Sequence, residues 1–96
     1  MQKILDNWVD RAMEMNKDYM IFNLRAAVEK LEQIVKELQE NPEYGEKKFM
    51  AAIKHTYRHM NTAWNARGCT EQAVQQCTME DSHKWRQFPK DIDLSR

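Results

Sequence analysis

Between Lys54 and Gly68 the chain reads KHTYRHMNTAWNARG, its densest concentration of side chains able to coordinate, donate or accept. His55 and His59 lie four residues apart, on one side of a helix, the spacing at which two imidazoles can meet one metal ion. Further on, Glu80 and His83 have the Glu-x-x-His spacing used by di-iron helical bundles, where a second copy and two more glutamates complete the site. Only one copy is present here, so a metal-binding bundle or small metalloenzyme built on His55, His59, Glu80 and His83 is the alternative reading. No cofactor is expected. Cys69 and Cys77 are separated by seven residues, which is not the Cys-x-x-Cys spacing of structural zinc. They read as small, inert, buried thiols, since nothing beside either marks it as an activated nucleophile.

The leading reading uses the same stretch differently. Lys47, Lys54, Arg58, Asn61 and Asn65 fall on one helical stripe opposite Phe49, Ile53 and Met60, and this polar face, through Lys54, Arg58, Asn61, Asn65 and Arg67, is the expected partner-binding surface. Asn61 and Asn65 stand mid-helix, where Ala, Glu or Lys would favour the helix more, so their presence hints at recognition. The expectation is a non-enzymatic helical interaction or regulatory protein with a protein partner. Nucleic acid is a further alternative, because Asn, Arg and Lys are the residues that read bases and phosphates from a helix. Fifteen basic residues balance fifteen acidic ones, however, and no basic cluster stands out, which argues against a polyanion binder.

The elements that must position these residues are helical throughout. Residues 2–40 contain neither Gly nor Pro. Ile21, Leu24, Val28, Leu31, Val35 and Leu38 alternate spacings of three and four, the seam of a coiled-coil-like helix, with Ala27 and Ile34 widening it. An offset stripe through Ile4, Trp8, Ala12, Met15, Tyr19 and Phe22 predicts a collinear or kinked helix over 2–15, with the break near Asn16 to Asp18. Asn41 to Gly45 holds the proline and glycine of a connector. The second long helix is expected over 46–67, stopping where Gly68 turns left-handed. Phe49, Ile53, Tyr57, Met60 and Trp64, flanked by Ala52, Thr56 and Ala63, should close on the Leu24 to Leu38 seam, and Asn61 could satisfy the polar tips of Tyr57 and Trp64. Thr70 and Thr78 cap short helices over 71–76 and 79–87, the latter carrying Trp85 and Phe88 over one end of the hairpin.

The fold class is therefore all-α: two long antiparallel helices, 17–40 and 46–67, with one or two short C-terminal helices. At 96 residues it forms a single domain, 1–96, with 90–96 as a frayed tail. The hairpin presents more apolar seam than so short a chain covers, so a homodimer completing a larger bundle is expected. No apolar run approaches the roughly 20 residues of a membrane span. Two cysteines and no apolar leader point to a reducing cytoplasm.

Overall fold

The computed structural model describes residues 14–95. Over these residues the chain is all-helical, without strands, in the order α1 (Lys17–Glu40), α2 (Glu46–Asn65), α3 (Glu71–Gln76) and α4 (Met79–Trp85). The helix expected over 2–15 lies almost wholly outside the described residues, but its break does not. Residues 14–16 are non-helical, and the Asn16 side chain caps α1 by accepting from the Tyr19 amide at 3.2 Å. The Asn16 amide also donates to the Arg67 carbonyl at 2.6 Å, tying the start of α1 to the turn that follows α2.

At the other end of the hairpin, Asn41 folds the connector. Its Oδ1 accepts from the Glu43 amide at 3.0 Å, and its own amide donates to the Glu37 carbonyl at 2.9 Å. Helix α2 ends at Asn65, two residues short of the expectation, because Ala66 to Gly68 form a hydrogen-bonded turn closed by the Cys69 amide on the Ala66 carbonyl at 3.0 Å. Gly68 is not left-handed. The one positive φ among the described residues belongs to Cys77 (φ 37°), which caps α3. Thr70 and Thr78 cap α3 and α4 as expected, each accepting at 3.1 Å from the amide three residues on.

Packing departs from expectation in one respect. The line of closest burial between α1 and α2 runs through Asn23, Ala27 and Ile34 on one helix and Thr56 and Ala63 on the other, all at least 94% buried. The seam of Ile21, Leu24, Val28, Leu31, Val35 and Leu38 does not close on α2; each of these residues remains exposed. Small residues explain the shift. Alanines and Thr56, whose hydroxyl is satisfied by the Ala52 carbonyl at 3.0 Å, let the two helices approach along a narrow line, and the bulky side chains project to one side of it.

The short C-terminal helix packs on α2. Trp85 is the large side chain of the core, 92% buried, with its ring edge-on to Tyr19 of α1 at 6.0 Å. Phe88, beyond α4, meets the Tyr57 ring edge-on at 5.0 Å, so both C-terminal aromatics do fold over the hairpin. Among the described residues no helix is long and apolar enough to cross a membrane.

Candidate functional site

Residues one or four positions before the α1–α2 contact line emerge on the shoulder that α4 covers: Tyr19 and Phe22 before Asn23, His55 before Thr56, His59 and Thr62 before Ala63. With Ser82, Trp85 and Arg86 these side chains line a cleft of about 280 Å³, into which Arg58 also reaches. A second hollow of about 330 Å³ adjoins it, sharing Arg58 and Arg86 and adding Lys54, Tyr57, His83 and Phe88. No carboxylate lines either hollow among the described residues.

The histidines are oriented by their neighbours. Asn23 donates its Nδ2 to the Tyr19 carbonyl at 3.0 Å, which turns its Oδ1 toward His59 Nδ1, also at 3.0 Å. An acceptor at that position requires His59 to carry a proton on Nδ1, leaving Nε2 free in the neutral ring. Burial pushes the His59 pKa below the ordinary histidine value, and the neighbouring His55, whose ring centroid is 4.7 Å away, pushes it further the same way. At the end of α4, Nη2 of the C-cap residue Arg86 lies 3.4 Å from His83 Nδ1; a guanidinium only donates, so that nitrogen accepts.

The geometry does not bring the four expected metal ligands together. His55, His59 and His83 come into the two adjoining hollows, but Glu80 lines neither. Among the described residues no group of three or more His, Cys, Asp or Glu is placed to hold a metal ion. Arg58 and Arg86 line the same hollows, and their positive charge opposes a cation there.

The expected partner face divides in two. Lys54 and Arg58 are exposed and line the hollows. Asn61 and Asn65 turn inward: Asn61 Nδ2 donates to the Arg86 carbonyl at 3.1 Å, and Asn65 Nδ2 donates to the Trp85 and Gln87 carbonyls at 2.8 and 2.6 Å. The Trp85 and Arg86 carbonyls belong to the last residue and the C-cap of α4 and the Gln87 carbonyl follows them, so the two amides cap the end of α4 from a different helix. Asn61 does not serve Tyr57 or Trp64. Trp64 Nε1 donates to Asp91 at 2.9 Å instead, and that bond holds the Asp91 carboxyl below its usual pKa. Arg67 stacks 3.7 Å over the Trp64 ring and donates to the Trp64 carbonyl at 2.7 Å. Segment 90–95 is thus pinned at Asp91.

Of the cysteines, Cys69 is half-buried and burial raises its thiol pKa, the opposite of activation; Cys77 is exposed, not buried as expected. The residue that sequence reasoning missed is Arg86. It has no periodicity or motif around it, and its place beside Arg58 depends on how α4 docks. No protein-family model, curated protein or solved structure matches the chain, so its function is read from its own geometry.

Proposed function

We propose that the chain is a non-enzymatic helical interaction protein that recruits an acidic segment of another protein through the paired hollows of the polar shoulder. The observation carrying this reading is the pairing of Arg58 and Arg86 across two adjoining hollows, with Lys54 at the margin and no lining carboxylate to neutralise them. Guanidinium forks match carboxylates in a two-pronged geometry, and neighbouring Ser82, Thr62 and Tyr19 add uncharged hydrogen-bonding groups. An acidic protein segment is favoured over nucleic acid because the chain as a whole is neutral, and a polyanion needs an extended basic surface.

Fluorescence anisotropy with a labelled poly-glutamate peptide tests this. Arg58→Glu/Arg86→Glu should weaken binding on the order of a hundredfold, the loss of two charge-assisted contacts, while circular dichroism stays unchanged. Equal binding by the folded double variant refutes the cleft. A single-stranded oligonucleotide that outcompetes the peptide, with affinity falling steeply in salt, would hand the surface to nucleic acid instead.

A further inference from the structure

Among the described residues the opposite shoulder of the hairpin is largely uncovered, Phe88 reaching only its Tyr57 edge. Leu24 follows Asn23 by one position, Val28 and Leu31 follow Ala27 by one and four, and Tyr57 and Met60 follow Thr56 in the same way. Antiparallel right-handed helices turn in opposite senses when seen from one end, so the same step in residue number carries both stripes to the same side. The large side chains there are 42–57% exposed on α1, with Phe49, Met50, Tyr57 and Met60 exposed beside them on α2. The buried hydrophobic residues of the described chain are Ala27, Ile34, Ala63, Ala66 and Trp85, three of them alanines, whereas the large aliphatic side chains of α1 other than Ile34 lie on this exposed side. Single exposed leucines are ordinary; a face two helices wide marks an interaction surface.

We infer that this face is covered by a second copy of the chain, the two hairpins packing face to face as a four-helix bundle with α1 antiparallel to α1. The inference does not rest on the cleft lined by His55 and His59, which shares no residue with this face; the adjoining hollow meets the face only at Tyr57. Three features select the occupant.

The first is the seam itself. Branched Ile21, Val28 and Val35 alternate with Leu24, Leu31 and Leu38. A twofold axis between Val28 and Leu31 sets Ile21 against Leu38 of the second copy, Leu24 against Val35, and Val28 against Leu31. Every layer then pairs a β-branched residue with a leucine, and no seam residue is left over.

The second is charge. Arg25 and Glu32 flank the seam on the side away from α2, and about the same axis each Arg25 meets Glu32 of the other copy, giving two reciprocal ion pairs. In a parallel arrangement these flanking charges would instead approach the side where the other copy's α2 lies, and would rest against its exposed Phe49 and Met60.

The third is size. A face roughly 30 Å long and two helix diameters, roughly 20 Å, wide amounts to about 600 Å² per copy, about 1,200 Å² in all, the lower end of what stable dimers bury.

Sedimentation equilibrium of the full chain at micromolar concentration is the test, and the expected mass is twice 11.6 kDa. Leu31→Lys should give a folded monomer by mass and circular dichroism. Arg25→Glu should raise the dimer dissociation constant several-fold, and adding Glu32→Arg should bring it back, because the exchanged charges still meet across the axis. A wild-type mass of one chain overturns the proposal. If Trp8→Lys then converts that monomer into a dimer, the occupant was residues 1–13 of the same chain; if it does not, the face belongs to a different protein. A dimer that survives Leu31→Lys places the interface elsewhere, and a charge exchange that fails to restore association overturns the antiparallel arrangement. None of these outcomes touches the poly-glutamate result, so the cleft and the dimer stand or fall separately.

Discussion

The two shoulders of one hairpin are built by different means. The apolar shoulder is made of residues that follow the α1–α2 contact line on each helix, and it arises wherever a three-four repeat runs along a regular helix. The polar shoulder exists only because α4 docks there: without Trp85 against Tyr19 and the Asn61 and Asn65 amides on the end of α4, Arg86 would not stand beside Arg58. One surface is a property of secondary structure and the other of tertiary structure, so they should respond differently to perturbation.

The largest effect is expected at Trp85. Trp85→Ala removes the main buried side chain of the polar shoulder and should cost about 3 kcal/mol of stability, measured by urea denaturation. Poly-glutamate binding should be lost with it, because Arg86 is released, while α1 and its seam remain and the chain still self-associates. A Trp85→Ala variant that binds the peptide normally would break the distinction between the shoulders.

The converse change is Leu31→Lys. It leaves the α1–α2 contact line untouched, since Leu31 is 42% exposed, and so should remove only association. The wild-type melting temperature should rise with protein concentration, as for any assembly in which only the folded chain binds, whereas that of Leu31→Lys should not. Peptide binding should be retained. A concentration-independent wild-type transition would erase the proposed asymmetry between the two shoulders.

What was legible in the sequence follows the same division. Helix α1 starts and ends where read, because Asn16 and Asn41 act locally on their own neighbouring backbone. The caps of α3 and α4 were equally local. The C-terminus of α2 was misplaced at Gly68 because glycine permits a left-handed turn without requiring one; here the Arg67 carbonyl is held by Asn16, 51 positions earlier in the chain, and a right-handed turn suffices. The seam was seen, but its partner was misassigned, since periodicity shows which side of a helix is apolar and not what covers it. At Asn61 and Asn65 the poor helix propensity goes with side chains that bond within the fold. What they hold is the end of the chain's own α4, a contact between residues 20 to 25 positions apart that local spacing does not reveal.

Asn65→Ala sharpens that point with an intermediate effect. It deprives the Trp85 and Gln87 carbonyls of their donor and should cost about 1–2 kcal/mol. Asn65→Asp is the stricter variant, because a carboxylate keeps the shape but turns both contacts into repulsion between acceptors. It should destabilise more than alanine and weaken peptide binding by loosening α4. An Asn65→Asp variant as stable as wild type would mean that the amide faces solvent, as a partner-binding residue would.

The smallest effect is one of pH, and it too belongs to the polar shoulder alone. The His59 pKa is lowered in the fold by burial and by His55. The groups that face it from the packed elements are Tyr19 and Asn23 of α1, His55, Arg58 and Thr62 of α2, and Ser82, Trp85 and Arg86 at α4, with no carboxylate among the described residues to offset its charge. Below about pH 6.5 the unfolded chain takes up a proton at this position more readily than the folded chain, so the stability contribution present above that pH declines as pH falls toward the folded-state value. Melting temperature should therefore drop between pH 7.5 and 5.5. His59→Gln keeps a donor for Asn23 Oδ1 but cannot titrate, so its melting temperature should fall less over the same range. Leu31→Lys, altered on the other shoulder, should retain the wild-type pH slope; an equal slope in His59→Gln would show that the dependence arises elsewhere.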